Sequence, residues 1–340
     1  MADKRRVIGW VAIVILVLIA IAAIKINVWL REQLRKPAPY EFKPQVVIIP
    51  PGQPLRRTAT TLQEAGLIKD VNSFIFLARV TRLDKKLQSG RYRFDEPIAP
   101  IVVLKTLTKS GTLTEHVTLP EGFTLEEITM TLAEQESIDT KQFKALTHDP
   151  TFLAAHGIEA QSAEGYLFPS TYNIYWKMDP KKAIILMIAE FHRVFNDSLK
   201  RRAAALGMTP HQALTLASIV EREGKKDSER PTISSVFHNR LKIKRPLESC
   251  ATVEYILPEH KDRLLFEDLK VQSPYNTYLH AGLPPGPICS PGRSSILAAL
   301  YPADTDYLFF VSNGDGSHTF TKTGAQHAQA IQKVRSKHEK

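Results

Sequence analysis

TPHQALTLASIVEREGK, residues 209–225, is the stretch on which the reading of this chain turns. Thr209 is a helix-capping residue type, and Pro210 suits a first helical position. Ala213, Leu216 and Val220 recur at three- and four-residue steps, which predicts a helix from Pro210 to Gly224 with one face buried. Glu223 continues that stripe where a solvated residue would be expected. A carboxylate at the edge of an apolar face has a raised pKa, which is what a general acid near neutral pH requires. At the helical step Glu221 and Glu223 stand about 200° apart, one on each flank of the apolar sector. Taken alone, the helix leaves open whether both are simply solvated residues of a last turn.

The N-terminus gives the setting. Lys4, Arg5 and Arg6 precede an uncharged run, Val7 to Ile24, which is closed by Lys25. That run is long enough to span a bilayer core with little tilt and longer than the apolar part of a typical cleaved signal peptide. The sequence therefore predicts a cytoplasmic segment 1–6, a transmembrane helix 7–25 and export of everything that follows. Cleavage at Ala20-Ile21-Ala22 is the alternative that the length rule disfavours. No second run of this length occurs, so the expected topology is single-pass.

The formal net charge is +10, and with Asp3, Lys4, Arg5 and Arg6 set aside +8 remains beyond the membrane. Such an excess suits an acidic polymer or a lipid surface. No nucleic-acid motif is visible, and nucleic acid is not expected as a partner on the far side of a membrane. The two cysteines, Cys250 and Cys289, make no disulfide scaffold; an exported chain could join them or leave them as buried thiols. Neither lies in a CxxC pair or near a spaced histidine, so no metal and no cofactor is expected.

Residues 26–45 read as a linker whose second half, KPAPYEFKPQ (36–45), is proline-rich and extended. A weak repeat at an offset of 70 follows: Pro50, Gly52, Leu55, Thr61, Leu62, Glu64 and Ile68 recur as Pro120, Gly122, Leu125, Thr131, Leu132, Glu134 and Ile138. Each copy reads as a strand, a proline–glycine turn and an amphipathic helix, with Thr124 and Glu127 forming a capping-box pair in the second. The first unit, residues 46–112, is similar to a LysM module, although simple packing without a ligand explains it as well. Lys181 to Leu206 predicts one or two helices. Tyr307 to Val311, the turn Asn313-Gly314-Asp315-Gly316 and His318 to Phe320 predict a hairpin, followed by a basic helical or frayed tail from Ala325. The fold class is α+β, with residues 113–340 as the larger domain.

Four segments are richer in aromatic, amide, hydroxyl, glycine and proline residues than loops require. They are EGYLFPSTY (164–172), ASIVERE (217–223), VFHNRLKIKRPLESCATVEY (236–255) and SPYNTYLHAGLPPGPICSPG (273–292). Rings that stack on pyranose faces, with amides and hydroxyls for the ring substituents, make a sugar-binding groove. In this order the segments resemble the endolytic murein transglycosylase family of bitopic bacterial membrane proteins. The resemblance implies that Glu223, the second glutamate of the IVExE signature, is the catalytic acid. It implies a cleft lined by Asn239, Arg240, Ser249, Thr252, Tyr255, Asn276, Thr277, Tyr278, Gly282, Leu283 and Pro284. Arg240 is the residue expected to meet acidic muramyl peptides, whereas His238 reads as a packing residue, Glu164 as a helix cap, and Asn276 and Tyr278 as possible supports of the Gly282–Pro287 turn.

The implied reaction is cleavage of the MurNAc–GlcNAc β-1,4 bond within nascent glycan strands. One glutamate donates a proton to the leaving oxygen and then takes one from the C6 hydroxyl of MurNAc, leaving a 1,6-anhydro end. The same resemblance implies residence in the bacterial cytoplasmic membrane, peptidoglycan as substrate, and peptidoglycan synthases as partners. Many family members carry Gln, Asp and Pro where this chain has Leu247-Glu248-Ser249-Cys250-Ala251-Thr252, so Glu248 and Cys250 stand in place of an amide and an acid. A membrane-anchored glycan-binding scaffold without activity and a two-carboxylate muramidase are the alternatives.

Overall fold

The computed structural model describes residues 2–35, 43–50, 52–109, 115–259, 261 and 264–338, and divides into two compact units, Met1–Glu115 and His116–Lys340. The first begins with α1 (Ala2–Leu34), a helix long and apolar enough to cross a membrane. The helix continues nine residues past Lys25, where a linker was expected to begin. Its continuation, INVWLREQL, holds neither glycine nor proline, so nothing in it ends a helix before Pro37. The side chains of Lys4 to Arg6, on which the predicted orientation rests, and residues 36–42 of the proline-rich segment lie outside the described residues.

The rest of the first unit runs β1 (Gln45–Ile49), α2 (Leu55–Glu64), α3 (Val71–Val80), β2 (Gly90–Phe94) and α4 (Pro100–Thr108). β1 and β2 pair antiparallel from Gln45↔Phe94 to Ile49↔Gly90. Period-two alternation turns Val47, Ile49, Tyr92 and Phe94 inward onto Leu62, Phe74, Leu104 and Leu107 and leaves Val46 and Ile48 outside. The Asp70 carboxylate caps α3 by accepting from Ser73 N–H at 2.7 Å. The far end of α1 belongs to this core: Trp29 packs on it, edge-on to Phe76 at 5.1 Å between ring centroids, and Gln33 is buried.

The second unit opens with β3 (Glu115–Leu119), α5 (Leu125–Glu136), α6 (Thr140–Thr147) and α7 (Pro150–Ala155), followed by β4 (Ser170–Ile174), which pairs with β3. Thr124 and Glu127 form the expected reciprocal capping box on α5. Next come α8 (Pro180–Val194), α9 (Asp197–Ala205), α10 (Pro210–Glu223), α11 (Arg230–Lys242), α12 (Cys250–Glu254) and α13 (Arg293–Leu300). A hairpin of β5 (Phe309–Ser312) and β6 (His318–Thr321) and the helix α14 (Gly324–His338) complete it. The mixed helix and strand content, with one N-terminal apolar helix, is the expected α+β class.

One expectation about α10 needs revising. It was read as amphipathic, yet every residue from Ala213 to Val220 is buried, with α9, α11, α12 and α13 packed around it. Thr215 and Ser218 are accommodated because their hydroxyls donate to the His211 and Thr215 carbonyls, at 2.8 and 2.7 Å. The helix becomes polar only in its last turn, so both glutamates emerge at the end of a rigid central rod. Thr209 and Gln212 cap its start reciprocally.

Candidate active site

Glu223 ends α10, and Ser249 Oγ donates to its Oε1 at 2.5 Å. Ser249 occupies the N-cap position of α12 without capping it, which leaves its hydroxyl for the glutamate. Three further contacts hold the serine. Its N–H donates to Thr277 Oγ1 at 3.1 Å, its carbonyl accepts from Thr252 Oγ1 at 2.8 Å, and the two threonine hydroxyls lie 2.8 Å apart, all buried. Burial raises the Glu223 pKa above the ordinary carboxylate range, and the Ser249 hydrogen bond and the Ala251 backbone N–H act against it. The result is a carboxyl that keeps its proton longer than an exposed one would.

Glu221, two residues away, is held differently. Its Oε1 accepts from Arg230 Nη2 at 2.9 Å and its Oε2 from Gly292 N–H at 2.8 Å, and both side chains of the ion pair are buried. Arg230 also contacts Ser294 and pairs with Asp227 at 3.3 Å. Glu121 packs flat against Gly292, where a Cβ would fall on its carboxylate. The two glutamates thus point to different surroundings, as their helical spacing required, and only Glu223 lacks a cationic partner within salt-bridge reach among the described residues.

The remaining predicted residues separate into two groups. In the first, the side-chain contacts go to the protein itself. Asn239 Nδ2 donates to the Thr305 and Tyr307 carbonyls, and Asn276 Nδ2 to those of Leu269 and Val271. Asn276 therefore ties its own loop to residues 269–271. Arg240, expected to meet substrate, is buried: Nε donates to Leu308 O at 2.7 Å, and Nη1 to Leu247 O at 2.7 Å and Glu248 Oε2 at 3.0 Å. It clamps the loop that presents Ser249. In that loop Glu248 adopts φ +48°, a left-handed conformation that costs a side-chain-bearing residue of order 1 kcal/mol. Arg240 and Arg245 hold its carboxylate in place.

The second group keeps partial exposure: Tyr255, Tyr278, Gly282 and Leu283, beside the buried Pro284. Tyr278 Oη lies 3.1 Å from Cys250 Sγ. Cys289 is buried against α10 with its Sγ 3.4 Å from Ser218 O, so both cysteines are free thiols and the disulfide alternative falls. His238 packs as expected, its Nε2 2.8 Å from Ala299 O.

Glu164 does act as a helix anchor, accepting from Leu125 N–H at the start of α5 at 3.0 Å, and it also accepts from Tyr255 Oη at 3.3 Å. Burial pushes its carboxyl up to about 7. Gly165, at φ +80°, lets Pro287 approach where a Cβ would collide with it, and so joins the EGYLFPSTY block to the GLPPGP block. Sequence reasoning missed Arg230, Glu121 and the bond from Ser249 to Glu223. These contacts join residues 9 to 109 positions apart across loops, and no local periodicity encodes them. The N-cap type of Ser249 before a short helix was the one available cue.

Fold and site together define an α+β protein with an N-terminal apolar helix and, at the end of a buried central helix, one half-buried, hydrogen-bonded glutamic acid. The sequence matches the YceG-like family over residues 47–333, and the chain belongs to that family. It is 33% identical over 333 residues to an endolytic murein transglycosylase of Bacillus subtilis (strain 168), covering 91% of this chain and 90% of that one. A protein of the same name from Streptococcus pneumoniae (strain R6) is 31% identical across 78% of this chain, which spans 53% of that relative's length. The crystal structure of a YceG-like protein from Listeria monocytogenes matches 84% of this chain and 98% of its own, with a TM-score of 0.61 and 30% identity.

Proposed function

We infer that this protein is a peptidoglycan lytic transglycosylase that cuts the MurNAc–GlcNAc β-1,4 bond within glycan strands, with Glu223 as both acid and base. The observation that carries the reading is the Ser249 bond to Oε1 of a half-buried carboxyl that has no cationic partner within salt-bridge reach among the described residues; Oε2 is proposed to hold the transferable proton. Oε2 protonates the glycosidic oxygen as its bond to C1 of MurNAc breaks. The resulting carboxylate then takes the proton of the C6 hydroxyl as O6 closes on C1. Atoms and charge balance without water, and the product ends in 1,6-anhydroMurNAc.

Conventional glycosidases need a second carboxylate at a set distance. Glu221 is bound to Arg230, and Glu254, whose charge acts on Glu223, lies 3.5 Å from Arg222. Glu221, buried in its ion pair, is not free to serve as nucleophile or base. Tyr255, Tyr278, Gly282, Leu283 and Pro284 are proposed to line the sugar subsites. Asn239, Arg240, Thr252, Asn276 and Thr277 are proposed to act by holding the loops, and Ser249 by holding Glu223. Residues 46–112 are proposed as a LysM-like module on the strength of their strand–helix–helix–strand core. A cytoplasmic N-terminus, residence in the cytoplasmic membrane and synthase partners complete the proposal.

Mass spectrometry of muropeptides from sacculi treated with the enzyme tests it. Anhydro ends are expected. Reducing ends would identify a two-carboxylate muramidase, and uncut glycan a binding scaffold.

A further inference from the structure

The net charge is not spread over the chain. Residues 116–340 hold 26 Lys and Arg against 26 Asp and Glu, whereas residues 1–115 hold 19 against 9, so the small unit carries the whole excess. Residues 26–115 alone have 15 against 8. This cationic unit also exposes apolar side chains: Phe76 and Val80, one turn apart on α3, are 56% and 60% exposed, and Val102 on α4 is 44% exposed. Exposed cations adjoin them on the same two helices or just beyond, Arg79, Arg82, Lys85, Lys86 and Lys105.

The location of this face follows from α1. Phe76 meets the edge of Trp29, and α4 packs against α1. Trp29 lies five residues beyond Ile24, the end of the uncharged run, hence about 7.5 Å farther along the helix. With a hydrocarbon core of about 30 Å inside a bilayer of about 40–45 Å, that distance is the depth of the headgroup layer. Tryptophan is the residue that favours this layer. Exposed apolar side chains on helices that also carry exposed lysine and arginine, at the height where a membrane helix leaves the hydrocarbon, match the chemistry of an anionic lipid surface. A hydrophilic anionic wall polymer would use the cations and leave Phe76, Val80 and Val102 in water.

We propose that the α3–α4 face of the first unit rests on the bilayer and binds its anionic lipid headgroups. The unit is then fixed at the membrane by two contacts, the spanning helix and this surface. The inference rests on α1 being a membrane helix and is independent of the catalytic reading.

Hydrogen exchange of the full-length protein tests it in nanodiscs of phosphatidylcholine alone and with a third phosphatidylglycerol. Amides of residues 71–86 and 100–109 are expected to exchange roughly tenfold more slowly in the anionic discs, with the effect shrinking at high salt. Arg79→Glu with Lys105→Glu, and separately Val80→Ser, should remove that difference while the β1–β2 amides stay protected, which shows the unit still folded. A chain that does not enter discs would overturn the anchor reading and this one with it. Equal exchange in both discs would overturn this one alone. Protection by a soluble anionic wall polymer in detergent, without any lipid effect, would assign the face to that polymer instead.

Discussion

The two units bury and charge themselves in opposite ways. In residues 116–340 the charges balance and the informative polar groups are inside: Glu223 with Ser249, Glu221 with Arg230, Glu164 with Tyr255, Thr252 with Thr277. In residues 1–115 the core is apolar and the charges lie outside, with an excess of ten. A buried polar network is costly unless every member is bonded, and it holds side chains in one geometry, as proton transfer demands. A charged exterior over an apolar core recognises a surface and makes few demands on geometry. The small unit is thus suited to placing the molecule and the large one to reacting.

That division can be broken most severely at the anchor. Removing residues 1–36 should move the protein wholly from the detergent fraction to the soluble one, while anhydro-muropeptide release from isolated sacculi continues and glycan chain length in cells changes. Unaltered chain length with the soluble form would mean that the first unit has no positioning role. Within the second unit, Glu221→Gln leaves the buried Arg230 short of its main counter-charge. A loss of about 4 kcal/mol in denaturant unfolding is expected, with activity per folded molecule retained. A variant of native stability would show that Asp227 and Glu121 suffice to hold the arginine.

Glu164 sharpens the contrast through pH. Its folded-state pKa, about 7, lies above the ordinary carboxyl value near 4.5, so the folded protein keeps that proton longer. The stabilisation from the protonated form is full below about pH 4.5 and is lost as pH rises to about 7. The loss amounts to about 3 kcal/mol. Glu164→Gln should flatten that decline in a pH series of unfolding curves, and a decline of unchanged size would place its origin elsewhere. The smallest effect is expected at Ser249. Ser249→Ala removes a bond that lowers the Glu223 pKa, so the alkaline limb of the pH–rate profile should move to higher pH and the optimum rate fall about tenfold. A rate loss without displacement of the limb would make Ser249 a fold residue only.

Much of this was legible in the sequence wherever the cause is local. The caps at Thr124 and Thr209, the helices α8 and α9, the hairpin β5–β6 and the position of Glu223 on its helix all follow from residues within a few positions of one another. Legibility ended where function depends on contacts distant in sequence. Arg240 looked like a substrate ligand because a guanidinium in a conspicuous motif invites that reading. Its actual partners, Leu308 and the backbone of the 246–248 loop, are set by tertiary packing. The burial of α10 on all sides was hidden because Thr215 and Ser218 read as polar, although each bonds back to its own helix. The helical continuation past Lys25 was hidden by a composition rule that equates the end of an apolar run with the end of a helix.

The central claim is that the two adjacent glutamates have separate tasks, chemistry for Glu223 and architecture for Glu221. Anhydro-muropeptide yield per folded molecule, measured side by side for Glu223→Gln and Glu221→Gln, tests it most directly. The account predicts that Glu223→Gln folds, binds glycan and forms no anhydro ends, a fall of at least about 10² to 10⁴, while Glu221→Gln retains activity despite lower stability. Native-rate cleavage by Glu223→Gln together with a folded but inactive Glu221→Gln would contradict it.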